Sequence, residues 1–161
     1  MRLYKKYMRL ISTIVFAFVV IFVTNAYAHV AVIVNKSNPV SDISYKELQQ
    51  ILEARKQYWD NGEKITLIFK PIASAETRTL IDTVYKIKYE EFDKYWFSMV
   101  YNGKITEFPK IVISTSTMNI LVSEMPAAIA FLRIDEVSKR GNIKVLRIDG
   151  KMPDEDGYPL K

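Results

Sequence analysis

The fold is decided by the run Val30-Ala31-Val32-Ile33-Val34-Asn35, which the polar turn Lys36-Ser37-Asn38-Pro39 follows directly. An unbroken series of apolar, mostly β-branched side chains predicts a strand that is buried on both faces, because a half-exposed strand would alternate with polar residues. Proline and asparagine at the end of the run indicate a turn. We expect a parallel strand inside an α/β domain, since helices usually cover parallel strands on both sides.

Beyond this strand, helical and extended patterns alternate along the chain. Ser44 and Glu47 form a capping box, which predicts a helix from Tyr45 to about Glu53. The patterns that follow are a strand at 65–69, two helices that begin at Glu76 and near Phe92 and are separated near Lys88, a strand at 111–113, a helix at 118–124, and strands at 128–132 and 142–148. The alternation predicts an α/β domain over residues 29–150, with a mainly parallel sheet flanked by helices. The polar, turn-rich residues 151–161 are expected to form a flexible tail.

Residues 1–28 have the three parts of a secretory signal peptide. Four cations and no acid occupy residues 1–9, an apolar run covers residues 10–23, and Ala26-Tyr27-Ala28 forms a small-x-small cleavage pattern. The apolar run is shorter than the roughly 20 residues that span a bilayer, which favours cleavage after Ala28 over the alternative of an uncleaved membrane anchor. The mature protein is therefore expected in the periplasm or outside the cell.

Charge and cysteine content exclude several classes of function. The chain has 23 Lys plus Arg and 18 Asp plus Glu, for a formal net charge of +5, but four of the cations lie in the leader and the remaining residues are nearly neutral. The basic balance therefore gives no support for a nucleic-acid partner. The chain has no cysteine, which excludes a lipid-anchored cysteine, thiolate zinc sites and a thiol nucleophile.

Motifs of catalysis and cofactor binding are absent from the sequence. The five glycines are isolated, so there is neither a phosphate-cradling glycine loop nor a Gly-x-Ser-x-Gly nucleophile elbow. His29 would be the first mature residue and could chelate copper, but such a site normally adds a second imidazole and the chain has no other histidine. We expect no catalysis, no cofactor and no metal site. The aromatic residues Tyr95, Trp96, Phe97 and Tyr101 are expected to pack in the core rather than to stack on a ligand.

Several segments match a known family in their order along the chain. They are residues 30–35 with their terminal Asn, Asn38-Pro39, residues 43–52 with Ile43-Ser44, Trp59-Asp60-Asn61-Gly62, residues 74–78 with Ser and Arg, Tyr95-Trp96, and the stretch Met125-Pro126-Ala127-Ala128-Ile129-Ala130-Phe131. In this order they resemble the phosphate-binding periplasmic proteins of ABC transporters. The resemblance implies a single lobe of the type II periplasmic binding protein fold, whose ligand lies in a cleft.

The resemblance also implies which residues hold the ligand. In the family, helix N-termini and hydroxyl groups bind the anion, and a helix start suits an oxyanion because it offers unpaired N–H donors and a partial positive charge. The corresponding residues here are expected to face one end of the sheet: Ser37, Asn38, Ser74, Thr77, Arg78, and Ser114, Thr115 and Ser116 with Thr117. Arg78 would be the charged contact. The alternatives are that the hydroxyls only cap helices and that Arg78 is a solvated helix residue.

Two functions remain open at this point. The first is an exported solute-binding protein that binds phosphate or a related small oxyanion without catalysis. The second is an envelope protein-interaction or sensory module that keeps the lobe but has lost tight ligand binding, with a transporter or sensor protein as partner. The second is favoured by alanines at 73, 75, 127 and 130, where the family has glycine. It is also favoured by a length of one lobe, since a closed cleft would then require a partner chain or a homodimer.

Overall fold

The structure is a computed structural model that describes residues 29–161. Its elements are β1 (Val30–Asn35), β2 (Asp42–Ile43), α1 (Tyr45–Leu52), β3 (Thr66–Phe69), α2 (Ala75–Leu80) continued by a π-helical turn (Ile81–Tyr85), a 3-10 turn (Tyr89–Glu91), α3 (Phe92–Tyr101), β4 (Lys110–Ile111), α4 (Thr115–Glu124), β5 (Ala128–Arg133), a second 3-10 turn (Ile134–Glu136), β6 (Ile143–Val145) and β7 (Arg147–Ile148). The predicted signal peptide and its cleavage site after Ala28 lie outside the described residues.

Of the two hydrogen bonds in the predicted capping box of α1, the structure contains the one accepted by Ser44 and lacks the one accepted by Glu47. The Ser44 hydroxyl accepts a hydrogen bond from the Glu47 amide at 3.1 Å. The Glu47 carboxylate does not return to the cap and instead accepts from Lys56 Nζ at 2.7 Å. The helix therefore begins where the sequence predicts, while its acidic residue ties the helix to the loop that follows it.

The strands form a five-stranded sheet of order β4-β3-β5-β1-β6 and a two-stranded sheet of β2 and β7. Strand β3 runs parallel to both β4 and β5, and β2 runs parallel to β7. Strand β1 runs antiparallel to both β5 and β6. Three of these five pairings are parallel, so the predicted α/β domain with a mainly parallel sheet flanked by helices is confirmed.

The direction of β1 differs from the sequence expectation. The strand is fully buried, as its apolar run predicts. It is antiparallel to both neighbours, with Val30 opposite Arg133 and Val34 opposite Ile129. A continuous apolar run indicates that helices cover both faces of a strand, but it does not indicate the direction of the strand. The prediction of a parallel β1 was wrong for this reason.

Helices cover both faces of the large sheet. Val30, Val32 and Val34 point to the face covered by α1, α2 and α3, and belong to the larger apolar core. Ala31 and Ile33 point to the opposite face and pack with Met118 and Val122 of α4. Because successive residues of a strand face opposite sides, the five apolar residues of β1 are shared between two cores. Among residues 29–161, no helix is long and apolar enough to cross a membrane.

The C-terminal part of the chain departs from the sequence expectation in two ways. Residues 142–148, predicted as one strand, form β6 and β7, which belong to different sheets. The segment from Lys151, expected to be a flexible tail, packs into the core, because Tyr158 is 2% and Leu160 0% exposed. The Tyr158 hydroxyl donates to Val30 O at 2.9 Å, and the Val30 amide donates to Leu160 O at 3.1 Å. The segment is thus held by its buried residues Pro153, Tyr158 and Leu160 and by hydrogen bonds to β1.

Candidate functional site

Helices from the two faces of the sheet begin at the same edge. Strands β3, β4 and β5 end at this edge, and the chain passes from β3 into α2 and from β4 into α4. We call it the helix-start edge and define it by Lys70, residues 74–78, residues 113–116 and residues 133–136. Ligands of α/β sheets bind where helices diverge to opposite faces beyond the strand ends, and this edge has that arrangement.

Lys70 lies between the two helix starts and is 8% exposed. Its ammonium donates to the Thr115 hydroxyl at 2.6 Å and to the Ile113 carbonyl at 3.4 Å, and it lies 3.9 Å from a carboxylate oxygen of Glu136. Its backbone carbonyl accepts from the Thr77 hydroxyl at 2.8 Å. Lys70 therefore connects the first turns of α2 and α4 and brings a nearly buried cation to the edge.

The first turn of α2 is capped by Ser74. Its hydroxyl accepts from the Thr77 amide at 3.2 Å, and its carbonyl accepts from the Arg78 amide at 3.1 Å. The Thr77 side chain is 1% exposed and its hydroxyl donates to Lys70 O. Both side chains are used within the fold, which leaves the amides of Ala75 and Glu76 without an acceptor among residues 29–161.

The first turn of α4 has the same construction. Ser114 caps the helix by accepting from the Thr117 amide at 3.3 Å, and its hydroxyl lies 2.8 Å from that of Ser116. The Thr115 hydroxyl accepts from Lys70 and also donates to Glu136 at 3.4 Å. As at α2, the amides of Thr115 and Ser116 have no acceptor within the described part of the chain.

Carboxylates balance the cations of the helix-start edge. Arg133 donates two hydrogen bonds to Asp135, at 3.1 and 2.8 Å, and the guanidinium lowers the pKa of the Asp135 carboxyl. Glu76 is 5% exposed and lies in the first turn of α2, where the helix dipole favours a negative charge. The edge as a whole is formally neutral, with three cations and three carboxylates: Lys70, Arg78, Arg133, Glu76, Asp135 and Glu136.

Arg78 lies on the outer surface of α2. It is exposed, and its guanidinium carbon lies 5.1 Å from the centre of the Tyr89 ring, in a cation–π contact. It forms no salt bridge within residues 29–161. The cation that contacts both helix starts is Lys70, not the Arg78 that the sequence singled out.

Ser37 and Asn38 do not lie at the helix-start edge. They follow β1, and because β1 is antiparallel to β5, its end lies at the edge where β3 and β5 begin. Across the five steps of β1, at about 3.3 Å per residue, this is roughly 17 Å from the helix-start edge. The expectation that all three polar loops face one end of the sheet is therefore corrected, since it depended on a parallel β1.

At their own edge, Ser37 and Asn38 make local contacts. The Ser37 hydroxyl donates to Asn35 Oδ1 at 2.8 Å, and Asn38 Oδ1 accepts from the Val40 amide at 3.0 Å. Asn38 is 2% exposed, and its Nδ2 has no acceptor within the described residues. The two residues shape the turn after β1, as polar turn residues commonly do.

The alanines that replace family glycines lie in ordinary backbone. Ala73 and Ala75 are exposed, and neither is among the described non-glycine residues with positive φ, which are Ala54, Lys86 and Asp149. The loop before α2 therefore needs no left-handed backbone, and glycine's conformational freedom is not required there. The methyl groups add bulk on the outer surface of the loop.

Sequence reasoning missed Lys70, Glu136 and Asn119. The Asn119 amide donates to Thr115 O at 3.0 Å and to Glu136 O at 3.1 Å, and its oxygen accepts from the Ser138 amide at 2.9 Å. It thereby holds the 3-10 turn after β5 against α4. The available signal was Lys70 itself, a charged residue placed directly after an apolar strand and before Pro71.

The aromatic residues of α3 divide between core and surface. Trp96 is buried, and the half-buried Tyr95 donates its hydroxyl to Glu53 O at 2.9 Å. Phe97 and Tyr101 are 64% and 92% exposed, contrary to the expectation that the whole set packs in the core. Helical spacing identified the buried stripe, while the adjacent residues of the same helix face solvent.

Within residues 29–161 no group of three or more His, Asp or Glu could hold a metal ion.

Comparison with solved structures identifies the fold. An ABC-type phosphate transport receptor from Vibrio cholerae superposes with a TM-score of 0.64 at 20% identity, covering 82% of this chain and 52% of its own. A Clostridium perfringens protein with bound phosphate gives a TM-score of 0.61 at 18% identity, with 78% and 46% coverage. PstS from Borrelia burgdorferi gives 0.59 at 15% identity, with 82% and 53% coverage. The chain thus spans about half the length of these proteins, and identities this low show the fold alone.

Comparison of the sequence with family models gives the same result. No curated protein matches the sequence. The model of a PBP superfamily domain matches residues 17–154, which is most of the chain. The resemblance to phosphate-binding receptors that the sequence motifs indicated is confirmed at the level of family and fold. The chain belongs to the PBP superfamily domain family.

Proposed function

We propose that the chain is an exported solute-binding protein that binds a small oxyanion such as phosphate, without catalysis, at the helix-start edge. The observation that carries the proposal is the position of Lys70, which is nearly buried between the first turns of two helices with uncommitted amides. A cation beside two helix starts offers charge and N–H donors to the same anion. The phosphate named for similar receptors agrees with this chemistry.

The proposed site uses six of the residues that the sequence nominated. Ser74, Ser114 and Ser116 supply hydroxyls, Thr77 and Thr115 hold Lys70, and Arg78 adds a second cation at the rim. Ser37 and Asn38 are not part of it, because they lie at the other end of the sheet. Glu136 lies 3.9 Å from Lys70 and competes with the anion for its charge, so we expect binding of moderate strength.

The test is isothermal titration calorimetry of the full chain with inorganic phosphate and with sulfate. We expect saturable phosphate binding that the Lys70→Met variant loses. The matched control is Lys144→Met, since Lys144 is a half-buried lysine that donates to the Asn38 carbonyl at the other edge. Equal phosphate affinity in the two variants, or no binding by the unmodified chain, would refute the proposal. Circular dichroism melting shows whether each variant is folded.

A second function, an interaction module for an envelope partner or a second copy of the chain, is supported by an exposed sheet edge. Strand β4 is the outermost strand on its side of the sheet, and Ile111 in it is 58% exposed. Ile113 is 81% exposed. The exposed rings of Phe97 and Phe108 pack edge to face, with their centroids 5.2 Å apart. An unpaired strand edge with apolar side chains is a template for pairing with another chain.

Sedimentation velocity over a range of protein concentrations separates the two functions. The interaction module predicts a concentration-dependent dimer or a stable heteromeric complex, and Ile111→Lys should abolish it by placing a charge on the edge strand. The solute receptor predicts a monomer that binds phosphate. Tight phosphate binding by a monomer would contradict the second function.

A further inference from the structure

A pocket of about 240 Å³ lies beside the start of β3 and β4, on the face of the sheet that α1 and α3 cover. Its inner wall is apolar and is formed by Ile51, Ala54, Ile65, Leu67, Trp96 and Ile105. Its mouth is formed by the exposed residues of the lining, which are Lys64, Thr106, Glu107, Phe108 and Lys110. None of the residues that line it belongs to the helix-start edge, so it is a separate concave site.

The wall of the pocket contains an unsatisfied polar group. Trp96 is 5% exposed, and its indole N–H is closed to solvent and has no acceptor within residues 29–161. Buried N–H groups are nearly always paired, because leaving one unpaired costs free energy. The only other unpartnered buried side-chain atom in the described part of the chain is Asn38 Nδ2, which lies elsewhere. Because this N–H is closed to solvent, it lies behind the wall of the pocket and is not accessible from it.

The lysines that line the pocket differ in whether a carboxylate pairs with them. Lys56 is matched by Glu47 and Asp60, each at 2.7 Å, and Lys64 is matched by Glu107 at 3.0 Å. Lys110 is exposed and forms no salt bridge in the described chain. The hydrogen bond and charge of Lys64, together with the charge of Lys110, lower the pKa of the Glu107 carboxyl. The lysines of the lining and their salt-bridge partners are formally neutral, with three cations and three carboxylates, but Lys110 is the one lysine of the lining that forms no salt bridge among the described residues.

We propose that this pocket binds a small organic acid, whose apolar body lies against Ile65, Trp96 and Ile105 and whose carboxylate pairs with Lys110 at the mouth. An acid fits better than a neutral apolar molecule because Lys110, at the mouth, has no salt-bridge partner within residues 29–161. It fits better than inorganic phosphate because the inner wall offers apolar side chains rather than hydrogen-bond donors.

The size of the pocket limits the ligand. Sites for drug-sized ligands have volumes of roughly 300–1,000 Å³. At about 240 Å³ the pocket holds a smaller molecule, on the scale of one aromatic ring with a short acidic arm. The protein would then carry two sites of different chemistry, one for an inorganic oxyanion and one for an organic acid.

The test uses phenylacetate and its neutral amide, phenylacetamide, as probes in calorimetric titrations of the full chain. We expect saturable binding of phenylacetate and weaker binding of phenylacetamide, by about three- to five-fold, the size of effect of a partly exposed ion pair. Lys110→Gln should weaken phenylacetate binding by the same factor and leave phenylacetamide unchanged. Lys46→Gln, an exposed lysine on α1, is the matched control and should change neither.

Chemical-shift mapping in ¹⁵N-labelled protein locates the probe without any substitution. Phenylacetate should shift the Trp96 indole N–H and the amides of residues 105–107, and excess inorganic phosphate should not displace it. Three results would overturn the proposal: no saturable binding of phenylacetate, equal affinity for the acid and the amide, or shifts confined to residues 74–78 and 113–116. Displacement by phosphate would overturn the proposal as well, because the acid would then occupy the oxyanion site.

Discussion

The two ends of the large sheet carry similar residues but present opposite ends of helix α4. At the helix-start edge, Ser114, Thr115 and Ser116 surround the first turn of α4, whose amides are uncommitted. At the other end, Asn35 donates to Val122 O at 3.0 Å and to Ser123 O at 2.6 Å, the carbonyls of the last turn of the same helix. A helix start attracts anions and a helix end repels them. Polar residues at the two ends therefore have different roles, one suited to a ligand and one to the fold.

The largest effect should come from the end that serves the fold. Asn35→Leu removes two donated hydrogen bonds and three accepted ones, from the Ser37 amide, the Ser37 hydroxyl and Asn142. The exposed partners Ser37 and Asn142 can bind water instead, but the Val122 carbonyl belongs to a residue that is 0% exposed and loses its donor. We expect a loss of about 3 kcal/mol in the free energy of unfolding, measured by urea denaturation. Ser37→Ala, at an exposed site of the same turn, should cost less than about 1 kcal/mol. Comparable losses in both variants would contradict the structural role of Asn35.

The second effect concerns the end proposed for the ligand. Lys70→Met should weaken phosphate binding about ten-fold or more, since a charge-assisted hydrogen bond to a nearly buried ammonium is lost. The free energy of unfolding should fall by about 1 kcal/mol, less than for Asn35→Leu, because the hydrogen bonds to Thr115 and Ile113 are lost while the methionine side chain fills much of the same space. Calorimetry measures the affinity and thermal melting the stability. A variant that is strongly destabilised but binds phosphate as tightly as the unmodified chain would show that Lys70 has a structural role, like Asn35.

A smaller effect of opposite sign is expected at Glu136. Its carboxylate lies 3.9 Å from Lys70 Nζ. Glu136→Gln keeps a group that can accept from Thr115 and removes a negative charge that repels an incoming anion, so phosphate affinity should rise about three- to five-fold. The control is Asp135→Asn, which removes an exposed carboxylate that Arg133 already pairs. Weaker phosphate binding by Glu136→Gln would place the anion away from Lys70.

The smallest effect is expected for Arg78→Ala. The guanidinium is exposed and lies over Tyr89 rather than between the helix starts, so its interaction with a bound anion is screened by solvent. We expect phosphate affinity to fall about two- to three-fold, an exposed-charge effect that decreases as salt is added. The sequence pattern by itself predicts complete loss. A complete loss in calorimetry would show that Arg78 leaves the Tyr89 ring when the anion binds.

Most elements of the fold could be predicted because their signals are local. The hydroxyls of Ser44, Ser74 and Ser114 accept from the amide three residues ahead, as a helix cap should. Strands β1 and β5 coincide with unbroken apolar runs, and Gly62 has a φ of 86° in the loop before β3, where a glycine favours a turn. Apolar periodicity and turn residues act over a few positions, so one sequence suffices to find them.

The site could be predicted only in part, because its residues come together through strand order and direction. The helix starts at Ser74 and Ser114 meet because β3 and β4 are parallel neighbours. Ser37 and Asn38 are separated from them by the antiparallel direction of β1, and no pattern within β1 encodes that direction. Lys70 was missed because its significance depends on burial between α2 and α4, which are far apart in sequence.

By itself, the sequence determined the α/β alternation, the helix caps, the two-faced burial of β1 and the family resemblance. Each of these depends on side chains that are neighbours along the chain. Only the tertiary structure decided the direction of β1, the anchoring of Tyr158 and Leu160 in the core, and which polar loops share an edge with Lys70. These depend on which strands pair, and pairing is chosen by the burial of the whole sheet between two layers of helices rather than by any single segment.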